Sequence, residues 1–219
     1  MKTGLFLVVC LFILSVSNAY AYDNHDFQVW NIENQEMIVG KKSKIAFEQE
    51  FRWENNANDF SYQHYDVGYI HLFNDYFNFG GGYRYILQKS SDKFREGSMP
   101  YLVAFLFWNP AEFKITNRIR LEYRYYDYQS DVCMLRDKID VKFPWKFTKF
   151  AIQPMISEEV FFKFNGGTLN ENRFSAGLAF SLTKNLKGEI YYMLKSNKTT
   201  NTCTWKEANV LSTKLKLSF

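Results

Sequence analysis

The fold is set by one stretch, Phe113-Lys114-Ile115-Thr116-Asn117-Arg118-Ile119-Arg120-Leu121-Glu122-Tyr123-Arg124-Tyr125. Phe113, Ile115, Ile119, Leu121, Tyr123 and Tyr125 share one parity. Lys114, Thr116, Arg118, Arg120, Glu122 and Arg124 share the other. A period of two is a β-strand, because successive side chains leave a strand on opposite faces. The run approaches about 12 residues, where a globular strand has roughly 5–6. A long strand with one greasy face and one ionic face fits a tilted membrane crossing.

The same alternation recurs outward from this stretch. Ile45, Phe47, Phe51 and Trp53 oppose Lys44, Glu48, Glu50, Arg52 and Glu54. About ten such segments can be placed, at 43–54, 62–73, 76–88, 99–108, 112–126, 132–143, 150–163, 172–183, 187–196 and 206–219. Tight turns at 74–75, 109–111, 144–149 and 184–186 alternate with longer links at 55–61, 89–98, 127–131, 165–171 and 197–205. Short turns at one end and longer loops at the other are the outer-membrane arrangement. Lipid offers no partner to an edge strand, so the sheet must close. The expectation is an all-β, closed, antiparallel up-and-down transmembrane barrel of about 10 strands over residues 43–219, with both chain ends on one side. Residues 22–42 form an N-terminal segment whose Phe27–Glu33 stretch looks like a further strand. Pairing it with a strand not yet placed gives twelve.

Composition agrees. Aromatics make up 19% of the 219 residues, and Tyr65, Tyr69, Phe73, Phe77, Tyr83, Tyr85, Tyr101, Phe105 and Phe107 are candidates for the lipid face or its girdles. With 47% hydrophobic and 23% charged residues the chain is not disordered. A net charge of +4 is too slight to argue for nucleic acid. Lys2, the apolar run Leu5–Val16 and Ala19-Tyr20-Ala21 read as an export leader over residues 1–21, cleaved before Tyr22. The expected location is a bacterial outer membrane. The closing segment alternates Leu211, Thr213, Leu215, Leu217 and Phe219 against Lys214, Lys216 and Ser218. Leu215, Leu217 and the terminal Phe219 resemble the signal read by the barrel-assembly machinery. That machinery and outer-membrane lipid are the expected partners.

With these residues in view, the chain resembles an uncharacterised family of bacterial outer-membrane barrels, the domain of unknown function 2490. The resemblance rests on Trp30, Glu48-Gln49-Glu50-Phe51-Arg52, Asn117–Arg124, Pro154, Ser157–Phe161, Asn172–Gly177, Glu189–Met193, Asn209 and Leu211, in that order. It implies architecture and location and supplies no catalytic residue.

Parity sends Glu48, Glu50, Arg52, Arg84, Arg118, Arg120, Glu122, Arg124, Arg136, Lys138 and Asp140 into the lumen. Acids of the first segment would then face bases of the fifth across the bore. Either these charges pair and plug a narrow barrel, or they form a field that selects small polar solutes. Ten strands lie nearer the roughly eight of a filled barrel than the roughly 16–18 of a porin, which favours the plug. The expected role is a narrow pore-like or structural barrel with a charge-paired lumen. The alternatives are an outer-membrane enzyme acting on lipid or peptide and a barrel that displays its loops to a partner.

No catalytic set stands out. His64 and Asp66 share a face near Ser61, but a lumen histidine paired with an acid is the simpler reading. Glu158-Glu159 puts acids on both faces of one strand, as at a bulge or rim. There is no Cys-x-x-Cys, His-Glu-x-x-His or phosphate loop, so neither a metal nor another cofactor is expected. Gly80-Gly81-Gly82 reads as a bend or a close approach of backbones. Cys133 and Cys203 are candidates for a disulfide in an exported chain.

Overall fold

A computed structural model describes residues 26–91, 93–198 and 204–219. The leader over 1–21 and Cys203 lie outside the described residues. Eleven strands follow one another: β1 Asp26–Val39, β2 Ser43–Glu54, β3 Asp59–Leu72, β4 Phe77–Ser90, β5 Lys93–Trp108, β6 Lys114–Tyr126, β7 Val132–Lys142, β8 Gln153–Lys163, β9 Thr168–Ser181, β10 Leu186–Lys198 and β11 Trp205–Ser218. They form one closed barrel, and neighbours in sequence are neighbours in the wall.

The extra strand is β1. It pairs antiparallel with β2 from Val29↔Trp53 to Val39↔Ser43. On its other edge it pairs parallel with β11 from Asp26↔Ala208 to Glu36↔Ser218. An odd number of alternating strands must meet its own first strand in parallel, so the barrel is mixed. The same parity puts the two ends of the described wall, Asp26 and Phe219, on opposite rims, not on one. Phe219 sits beside the end of β1, where its N–H donates to the Glu36 carbonyl (2.9 Å) and its carbonyl accepts from the Ile38 N–H (3.3 Å). Asp26 begins at the far rim.

The connections are short at both ends. Residues 55–58, 127–131 and 164–167 turn the chain at the rim of Asp26, as does the short link after Ser90. At the rim of Phe219, residues 40–42, 73–76, 109–113, 143–152 and 182–185 do so. The link expected at 89–98 is largely strand and those at 55–61 and 165–171 are partly so, while the tight turn expected at 144–149 is a longer link over 143–152. Strands extend because inter-strand hydrogen bonds satisfy backbone groups that a loop would leave to solvent.

The wall is apolar outside and ionic inside. Val67, Leu102, Leu121, Ile139, Ile156 and Leu178 are exposed at the waist. Exposed aromatics stand at both rims, Phe73, Tyr76, Trp108 and Phe219 at one and Phe27, Phe94, Tyr125 and Trp205 at the other, and Phe47, Tyr83 and Phe174 stand among the aliphatic residues between them. Two small apolar clusters sit in the bore: Trp30 with Met193 and Val210, and Tyr62 with Ile86 and Met99. Tyr101, Phe105 and Phe107 line the bore and do not belong to the lipid-face set, because β5 turns the parity of Met99 and Val103 inward. Gly80 and Gly82 are close approaches. A Cβ on Gly80 would lie 2.0 Å from the Tyr69 carbonyl oxygen, and one on Gly82 would lie 2.4 Å from Tyr101 Oη.

Candidate functional site

The lumen is the candidate site. Inward parity on each strand brings its charges together, and short ion pairs tie them. Glu122 on β6 is fully buried and holds three guanidiniums: Arg120 (2.7 Å), Arg136 (2.7 Å) and Arg124 (2.6 Å). Glu159 on β8 holds Arg118 (2.6 Å) and Arg136 (2.8 Å), with Arg173 at 3.7 Å. Arg84 bridges Asp66 (2.8 Å) and Glu48 (3.1 Å), and Tyr101 Oη donates to Asp66 (2.6 Å). Arg52 pairs with Glu50 (2.5 Å) and lies over the Trp30 ring, 3.7 Å from its centroid. Each low-dielectric charge therefore meets its counterion, as burial demands.

Most pairs run along one strand or reach one or two strands away, and Lys142–Glu189 joins β7 to β10. Glu48 and Glu50 are held by Arg84, Lys214 and Arg52, not by Arg118 or Arg120 across the bore. The expected transverse separation of acid from base is thus replaced by local pairing, because Glu122 and Glu159 are nearer to those arginines. Arg118, Arg120, Arg136, Lys138 and Asp140 line the cavity with Glu48, Glu50, Arg52 and Arg84, while Glu122 and Arg124 stand behind. Glu159 was hidden in the sequence by its neighbour. Glu158 points outward and accepts from Asn172, so the Glu158-Glu159 pair marks neither a bulge nor a rim. The parity of Ser157, Glu159 and Phe161 carries the signal.

Exposure along β6 locates a septum. The side chain of Arg118 is 24% exposed, Arg120 5%, Glu122 0% and Arg124 22%. Solvent reaches both sides of that layer and not the layer itself. Towards the rim of Phe219 the bore widens into a cavity of about 860 Å³. On β7 the exposure falls from 31% at Lys142 to 25% at Lys138 and 8% at Arg136, so the cavity is a cup with its floor at the septum.

His64 is fully buried on β3, opposite Glu50. Its Nε2 lies 3.5 Å from Glu48 and its Nδ1 3.8 Å from Glu50, yet neither nitrogen has a hydrogen-bond partner among the described residues. Ligand atoms of Glu48, Glu50 and His64 fall within 4.8 Å of one another. A metal ion there would have to displace Arg52, Arg84 and Lys214 from the same carboxylates. Asp66 belongs to Arg84, and Ser61 Oγ donates to the Arg52 carbonyl (3.5 Å), so no nucleophile–base pair forms around His64. Cys133 is half-buried on β7, and its candidate partner is the undescribed Cys203.

The family model described as protein of unknown function (DUF2490) matches residues 27–206. The chain belongs to this family. No curated protein and no solved structure is matched. The DUF2490 match begins within β1 and ends within β11, so it covers nearly the whole wall of the barrel.

Proposed function

We propose that this DUF2490 chain is an integral barrel of a bacterial outer membrane, and that its bore is closed midway by ion pairs. It is a structural or binding barrel with a narrow, blind lumen. It is neither an enzyme nor a channel for free diffusion.

The observation that carries the membrane reading is the inside-out wall. The outer face is apolar from rim to rim, aliphatic and aromatic at the waist and with further exposed aromatics at both rims. A soluble barrel has the opposite arrangement, with its apolar face inward. Polar side chains on the outer face are paired with one another: Gln49 with Glu33, Asn31 with Thr213, Asn117 with Asp137, and Asn172 with Glu158. Pairing lowers the cost of a polar group where lipid offers no partner. Leu215 on β11 and Phe219 just beyond its end are exposed, as the assembly signal requires.

The closed bore rests on the septum at Arg120 and Glu122. The test is a planar bilayer. Purified protein should be quenched in its tryptophan fluorescence by brominated lipid tails, which reports insertion. The same protein should show no conductance steps of porin size across salt and voltage. Absent quenching defeats the membrane placement, and large steady steps defeat the closed bore.

A further inference from the structure

The cup on the Phe219 side carries far more positive than negative charge. Fourteen Lys and Arg side chains line it against seven Asp and Glu. Behind the wall, Glu122 and Glu171 are offset by Arg124 and Lys195, so the excess persists. The two kinds of cation are also sorted. Arginines make the floor, where guanidiniums fork onto Glu122 and Glu159. Lysines make the open wall, including Lys44, Lys138, Lys142, Lys214 and Lys216.

Three of the lysines, Lys114, Lys146 and Lys187, have no ion-pair partner among the described residues. They stand near the mouth, on the first residue of β6, in the 143–152 link and at the start of β10. At the floor, Arg118 also lines the cup, its guanidinium held by Glu159. Several like charges facing one concave volume repel one another, and the low-dielectric wall concentrates their field. Mobile chloride can neutralise them only by being confined. One multivalent anion does so at a smaller cost in translational freedom.

We propose that this cup is a binding site for a soluble oligoanion of the phosphate class, such as an oligophosphate or a small molecule bearing several phosphates. Ammonium groups are compact charges with rotatable donors and suit phosphate oxygens arriving from many directions. The volume lies within the range of small-molecule pockets, roughly 300–1,000 Å³. Arg118 adds positive charge at the deep end, and Lys114, Lys146 and Lys187 neutralise the outer phosphates. Glu189 opposes such a ligand, because it occupies Lys142 at 2.5 Å. This inference rests on the blind-cup part of the reading above and does not require the membrane.

The test is calorimetric titration of the full-length protein in zwitterionic detergent, with inorganic tripolyphosphate as the probe. Saturable one-to-one binding is expected, weakening as salt rises from 50 to 200 mM. The double variant Lys114→Gln/Lys187→Gln should lower the affinity at least about tenfold, because two of the charges that face the probe are removed. Glu189→Gln should raise it. Lys163→Gln, at the opposite end of the barrel on β8, should leave it unchanged. Absent binding, or an equal loss in Lys163→Gln, overturns the proposal. So does retention of protein by phosphatidylglycerol vesicles without tripolyphosphate binding, which would assign the charge to a lipid surface. Porin-sized conductance in the bilayer experiment refutes the blind bore, whereas a failed titration with a silent bilayer refutes only the ligand.

Discussion

Replacing Glu122 by Gln isolates the energetics of the septum. The substitution keeps the shape of the side chain and removes one charge at the most enclosed point of the bore. Three guanidiniums lose a counterion within 2.7 Å. Arg136 keeps Glu159 at 2.8 Å. Arg124 is 22% exposed and can recruit water. Arg120 is 5% exposed and has no second carboxylate in ion-pair range among the described residues, so it carries most of the penalty. Removing one partner of a buried pair costs about 3–5 kcal/mol. With a guanidinium dependence of about 3 kcal/mol per molar, the midpoint should fall by about 1–1.7 M. The control is Glu36→Gln at the mouth of the cup, whose partners Lys44 and Lys216 are 20% and 37% exposed. Each of these two solvent-accessible pairs contributes at most about 1 kcal/mol, a total shift of up to about 0.7 M. Adding Arg120→Met to Glu122→Gln should restore part of the loss, because the orphaned cation goes with it. Equilibrium unfolding in detergent, followed by tryptophan fluorescence, reads all four proteins. If Glu122→Gln moves the midpoint no further than Glu36→Gln, the layer is hydrated and the septum is not a barrier.

Other perturbations test other parts of the wall. Trp30→Ala should cost about 3–5 kcal/mol, because this 2% exposed ring packs on Met193 and Val210 and lies under Arg52. It should also give small conductance events in a bilayer that the parent lacks. Gly82→Ala should destabilise by about 1–3 kcal/mol, since its methyl would meet the Val67 carbonyl oxygen at 2.5 Å and force β3 and β4 apart; a thermal melt reads it. Deleting Phe219 removes two backbone hydrogen bonds at the β1–β11 closure and should reduce the fraction of heat-modifiable, folded barrel on a gel. A fluorophore at the start of β1 and another at the C-terminus should be quenched from opposite sides of a sealed vesicle, because the parallel seam puts them on opposite rims.

Parity was legible in the chain. The alternation in Phe113–Tyr125 put Arg118, Arg120, Glu122 and Arg124 on one face without any tertiary information, because side-chain alternation in a strand is a property of the local backbone. The same rule called for closure, since unpaired strand edges have no partner in lipid. It did not say which strands meet. Phe27–Glu33 read as a strand, but its place between β2 and β11 is a long-range pairing across nearly the whole chain, and that pairing sets both the count of eleven and the opposite placement of the ends. Ion partners escaped the sequence for a related reason. Glu122 finds Arg136 through the register of β6 against β7, and Arg118 finds Glu159 across β7, distances that register and barrel curvature decide together. The sequence therefore determined which faces are ionic and which are apolar. Only the closed sheet decided which charges cancel, where the bore is sealed, and that the surplus of cations gathers in one cup.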